Sequence, residues 1–153
     1  MNKSPELYAL VRPDLGAVAS PLSERSQKLV LDHGDFLPHA SVLTSDGKVT
    51  MVGAMCNTRD GFANSWHILP MLHDGLRAMA NEKDILAVGV AECVREIAGI
   101  ARTRAIKILV EHRRMFTIAF YLPFEQDPAG RYTFGKTLSV QADPEIKVWT
   151  QGF

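Results

Sequence analysis

The 153-residue chain is the usual size of one domain and is long enough to bury roughly 70% of its unfolded surface without disulfide or metal staples. Hydrophobic residues make up 46% and charged residues 22%, and seventeen basic side chains balance seventeen acidic ones. That balance excludes a protein held to nucleic acid or anionic lipid by bulk charge. The two cysteines are too few for a disulfide framework and lack metal-ligand spacing; Cys93 reads as a small buried hydrophobe and Cys56 as a loop residue.

At the start, Lys3, the apolar residues 7–11 and Ala17-Val18-Ala19 echo a secretory signal. Arg12, Pro13 and Asp14 break the apolar part and leave it too short for translocation. The longest apolar run, residues 85–91, is far below membrane-spanning length, so a cytoplasmic location is expected. Ser4, Pro5 and Glu6 open a short helix that Pro13 should end, with residues 1–22 peripheral to the domain. Ser23 is placed to cap a second helix through Asp32, with Gly34 just past its end.

Residues 39–45, Asp46-Gly47 and residues 48–54 carry a hairpin signature. A two-residue type I′ turn at Asp46-Gly47 would pair Val42 with Met51 and put Ala40, Val42, Thr44, Val49 and Met51 on one core face. A polar loop follows over 55–65. Leu69, Leu72, Leu76 and Met79 then recur at helical spacing and predict a helix over 68–81, with Pro70 tolerated in its first turn. Gly75 suggests a close approach of this helix to the sheet.

Three strands are expected next, at 85–94, 105–112 and 116–122. The first is apolar on both faces, as a central strand should be. The stripe Ile106, Ile108, Val110, His112 matches Phe116, Ile118, Phe120, Leu122 only across a three-residue loop, Arg113 to Met115. This predicts the pairs His112–Phe116, Val110–Ile118 and Ile108–Phe120, although Met115 is a poor residue for the left-handed last position. Residues 123–135 read as loop, and 136–141 and 145–149 as short extra strands.

Helix, hairpin, helix and three-strand meander predict a single α+β domain over 1–153. Its sheet is mainly antiparallel, with one or two helices packed on a face. This order resembles that of profilin-like and roadblock-type domains, which by itself implies no activity.

Few residues invite a chemical role. The five histidines lack the spacing of a zinc motif, and no metal or cofactor is expected. His39 stands in a polar stretch and is a weak ligand-binding candidate. Glu92, Glu111 and His112 are the catalytic candidates: two carboxylates on neighbouring strands would perturb each other's ionisation. Salt bridges to Arg95, Lys107 or Arg113 are the plainer alternative. Arg102 and Arg104 fall at one end of their strand and Arg113 and Arg114 at the other, so they should not line one nucleic-acid groove. No phosphate-binding loop, dinucleotide fingerprint or nucleophile elbow is present. The outward face of the last hairpin carries Lys107, Leu109, Glu111, Thr117, Ala119 and Tyr121. Lys107, Leu109 and Tyr121 are its interface candidates, covered either by the C-terminal segment or by another chain.

Gly34-Asp35-Phe36-Leu37-Pro38-His39-Ala40-Ser41-Val42-Leu43, Asp46-Gly47, Val110-Glu111-His112-Arg113 and Leu122-Pro123-Phe124 together resemble a loose family of small uncharacterised bacterial α+β proteins. Members of that family often have Asp-Gly where this chain has Arg114-Met115. The resemblance supports the framework and implies no substrate or cofactor. Two functional readings follow. The first is a non-enzymatic binding or assembly module, expected to be a homodimer using an open sheet face or edge. The second is a small enzyme or ligand sensor with a pocket between helix 68–81 and the sheet.

Overall fold

The computed structural model describes residues 5–53 and 65–149. Its first element, α1 (Pro5–His33), is one 29-residue helix containing Pro13 and Pro21. It takes the place of the two shorter helices that the sequence predicts, one ended by Pro13 and one capped by Ser23. What carries it through is an unbroken stripe: Val11, Leu15, Val18, Leu22, Ser26 and Val30 are all buried and recur every three or four residues. Each buried aliphatic side chain contributes roughly 1.5–3 kcal/mol, and five of them outweigh two prolines at about 3 kcal/mol each. Residues 5–22 are therefore part of the core and not peripheral. Gly34, at φ +76°, ends the helix, its N–H donating to the Val30 carbonyl at 2.7 Å.

β1 (His39–Thr44) and β2 (Val49–Gly53) form the expected hairpin in a shifted register, with Ala40 opposite Val52 and Val42 opposite Thr50. The loop has three residues, because Thr44 N–H bonds the Lys48 carbonyl and Gly47 N–H the Thr44 carbonyl, both at 2.9 Å. Only Gly47 is left-handed, at φ +86°. The Asp46 carboxylate takes the Thr44 hydroxyl and the Lys48 N–H, which holds Asp46 out of the left-handed position that a type I′ turn needs. One residue of slip turns Val49 and Met51 away from the face of Ala40 and Val42, and they stand 37% and 42% exposed.

α2 (Ser65–Glu82) begins before the expected start, which leaves Pro70 inside it. β3 (Ile85–Val94), β4 (Ala105–His112), β5 (Phe116–Gln126), β6 (Tyr132–Phe134) and β7 (Leu138–Gln141) complete the chain. The antiparallel sheet runs β2-β1-β3-β4-β5-β6, with β7 also on β5. β5 is longer than expected and β6 lies within the supposed loop 123–135, while residues 145–149 form bends instead of a strand. The meander register is as expected: His112 faces Phe116, Val110 faces Ile118 and Ile108 faces Phe120. Met115 supplies the left-handed residue at φ +61°.

Alternate strand residues feed two cores. Leu43, Ala87, Ala91, Ile108, Val110 and Ile118 pack with α1. Ala40, Val42, Val88, Val90, Leu109 and Ala119 pack with Leu72 and Leu76 of α2 and with Ile146. The close helix–sheet approach is at Gly89, where a Cβ would lie 2.5 Å from Val18 Cγ1; Gly75 has open space around it. The class is α+β, as expected. No helix among the described residues is long and apolar enough to cross a membrane.

Candidate functional site

The β3–β4 register separates the three catalytic candidates. Glu92 lies opposite Lys107 and Glu111 opposite Val88, four strand positions or about 13 Å apart. His112 neighbours Glu111 in sequence and so projects from the opposite face of the sheet. They form no joint site.

Glu111 is buried on the α2 side, and its carboxylate is taken up by the C-terminal segment. Oε2 accepts the backbone N–H groups of Glu145 at 2.9 Å and Ile146 at 2.6 Å. Oε1 accepts those of Lys147 at 2.9 Å and Val148 at 3.3 Å. Four successive amides curl around one side chain, helped by Lys147 at φ +61°. A buried carboxylate is stable only when so satisfied, and with these bonds made it has no free lone pair in position to take a substrate proton.

His112 is committed in the same way. The Arg114 N–H donates to Nδ1 at 3.1 Å, which places the ring proton on Nε2, 2.8 Å from Asp14 Oδ2. The contact pins the β4–β5 turn to α1. Asp14, which the sequence showed only as an interruption of an apolar run, is its partner.

His39 is buried between α1 and β1. Its Nδ1–H donates to the Leu37 carbonyl at 3.1 Å, which leaves Nε2 to accept from the Ser26 hydroxyl at 3.4 Å. Burial, with a smaller contribution from Arg25, holds its pKa below the usual value. Ser26 is wholly enclosed, so this pair joins helix to strand and presents no hydroxyl to a ligand.

Glu92 is different. It is half-buried, its carboxylate makes no hydrogen bond among the described residues, and burial raises its pKa despite the neighbouring Lys107 ammonium. Lys107 Nζ pairs with Glu145 Oε2 at 2.6 Å. Burial pulls that amine down, but the Glu145 bond and the Glu145 and Glu92 charges outweigh it, so its pKa is raised. His73 on α2 is nearby, its pKa lowered by burial and then by Arg77. Perturbed groups of this kind gather at functional sites, though structural ion pairs produce them too.

The three interface candidates are not on an open face. Leu109 and Tyr121 are buried within the chain, Ile146 packs in their cluster, and Lys107 is engaged by Glu145. Arg77 Nη1 donates to the Ile146 carbonyl at 2.5 Å and holds the same cover from α2. Of the two covers the sequence left open for this face, the C-terminal segment is the one present; its mode of attachment was not legible, because it is held through backbone amides, and amides leave no residue signature.

Arg104 donates to the Gly34 carbonyl and lies 4.7 Å over the Phe124 ring. Arg113 pairs with Asp84 at 2.7 Å at the other end of β4. Cys93 is pushed up to about 12 by burial and by the Asp35 carboxylate beside it; Cys56 lies outside the described residues. Among the described residues no group of three or more His, Cys, Asp or Glu is placed to hold a metal ion. No protein-family model, curated protein or solved structure matches the chain.

Proposed function

We propose that the chain is a non-enzymatic binding module that associates with a second copy through the free edge of β2. The observation that carries this reading is the character of that edge. β2 pairs with β1 alone among the described residues, and Val49-Thr50-Met51-Val52-Gly53 contains no charge and no proline. Sheet proteins ordinarily protect an open edge with one of these devices. An edge with no partner strand among the described residues, and with Val49 and Met51 exposed, is suited to antiparallel strand addition. The sheet face around Leu109 and Tyr121 takes no part in this contact, since the chain covers it itself.

The test is the oligomeric state. Sedimentation equilibrium of the purified protein is expected to give a dimer, and Met51→Lys, which adds charge at an exposed position, is expected to give a monomer with the same circular dichroism spectrum. A wild-type monomer at the highest attainable concentration would end this reading.

Glu92 supports a second reading, a small enzyme or ligand sensor working between α2 and the sheet. A half-buried carboxyl without a hydrogen-bond partner among the described residues, beside an amine held by another carboxylate, is costly for the fold and suited to meet a polar ligand. Loss of a ligand-induced thermal shift in Glu92→Gln, with folding intact, would support it; panels of metabolites that shift neither protein would count against it.

A further inference from the structure

α1 lies over β1, β3 and β4 and only grazes β5. Its flank toward β5 carries Ala19, Ser20 and Ser23, side chains too short to close over the strand. A cleft of about 160 Å³ opens there. Buried Ile106 and Ile108 form its base, together with the half-buried Phe120 and Leu122. Thr137, in the connection between β6 and β7, makes the far lip.

Three properties define what fits. The volume is close to that of a cavity that accommodates benzene, about 150 Å³. No charged side chain lines the cleft, so an ion entering it would leave water without gaining a counter-charge. The Ser20 and Thr137 hydroxyls take part in no hydrogen bond among the described residues, whereas the Ser23 hydroxyl already accepts from Gln27 Nε2 at 2.9 Å. An apolar base with a small number of free polar groups at its mouth is the usual build of a small-molecule site.

We propose that this cleft binds a small uncharged molecule with a compact hydrocarbon body of about six to eight heavy atoms and one hydroxyl or carbonyl. The body rests on Ile106, Ile108 and Phe120, and the head bonds Ser20 or Thr137. This site lies under α1, on the sheet face opposite α2, and its occupancy does not depend on the β2 edge.

The test uses phenol as the neutral probe and benzoate as its charged counterpart, followed by methyl NMR on the full chain. Phenol is expected to shift the Ile106, Ile108 and Leu122 methyls saturably, with benzoate about tenfold weaker or more. Ser20→Leu, which lays a side chain over the cleft from an exposed helix position, is expected to abolish those shifts while the remaining spectrum stays that of the folded protein. Thr137→Leu is the second blocking variant, should Ser20→Leu disturb the helix. Shifts that never saturate, equal binding of benzoate, or shifts that survive in a folded blocked variant would overturn the proposal.

Discussion

Glu111 on β4 receives the Ile146 amide at 2.6 Å, and by this bond and three more the strap of residues 142–149 is fastened across the sheet. The relationship is unequal. The strap contributes only main chain to these bonds, and the sheet contributes a single side chain. Removal of that one carboxylate leaves four amides without their acceptor, the buried one of Ile146 costing about 1–3 kcal/mol and the three part-buried ones less each.

Glu111→Ala is therefore expected to destabilise the protein by about 3 kcal/mol or more and to strip hydrogen-exchange protection from the amides of 145–148 first. Urea denaturation and amide exchange read the two effects. A loss below about 0.5 kcal/mol, the range of an ordinary surface change, would show that the strap is held by its apolar contacts instead.

The Asp14–His112 contact makes a spectroscopic prediction. Long-range ¹⁵N correlation should find a neutral His112 ring with its proton on Nε2, because Nδ1 is occupied by the Arg114 amide. Asp14→Asn should lower stability by about 1 kcal/mol, the value of one modest hydrogen bond at a partly exposed site. A ring protonated on Nδ1 would contradict the geometry.

Two groups give pH dependences of opposite sign. His39 has a folded pKa below its ordinary 6.5, so on acidification the unfolded chain takes up the proton first. Stability is full above that value, falls as pH drops toward the folded pKa, and then levels. His39→Asn should flatten the urea-midpoint profile in this window. Glu92 has a folded pKa above 4.5, so its favourable contribution is present below that value and is lost as pH rises through the folded pKa. Glu92→Gln should accordingly gain stability at pH 8 and gain none at pH 4. A loss at pH 8 would mean that attraction to Lys107 outweighs burial.

Two glycines should respond oppositely to alanine. At Gly89 the new methyl would meet Val18 Cγ1 at 2.5 Å and Leu22 Cδ1 at 2.9 Å, and overpacking of this kind costs typically ~1–3 kcal/mol. Gly75 has nothing within 4 Å, and alanine within α2 should add up to about 1 kcal/mol. Thermal melts of the two variants should move in opposite directions.

Met115 holds a left-handed conformation at φ +61°, which costs a non-glycine residue roughly 1–2 kcal/mol. Met115→Gly should recover part of that, read as a higher urea midpoint, provided the side chain contributes little packing. An unchanged or lower midpoint would show that the methionine side chain repays the strain.

The meander was legible in the sequence because two apolar stripes had to meet, and only one loop length lets Ile108 face Phe120. The first hairpin was misread for a local reason. Asp46-Gly47 fits two turn types, and the choice is made by the Asp46 side chain bonding to Thr44 and Lys48, a preference that apolar alternation does not encode. α1 was cut at Pro13 because proline penalties are visible residue by residue, whereas burial along Val11, Leu15, Val18 and Leu22 depends on a sheet formed by residues far ahead in the chain. Of the site candidates, Glu111 and His112 were legible as ionisable groups on a strand, but neither their burial nor their roles were. Their partners are main-chain amides and an aspartate in another element, neither of which stands out by residue type.

Asp14 and His112 are separated by 98 positions, and the whole seam between the first helix and the middle of the sheet has separations of this order. In a newly made chain β1 can cover only its own share of the helix, and the part of the greasy stripe that meets the third and fourth strands stays bare until those strands have left the ribosome. Such long-range closure is slow, and an apolar stripe that waits for it is exposed to aggregation in the interval.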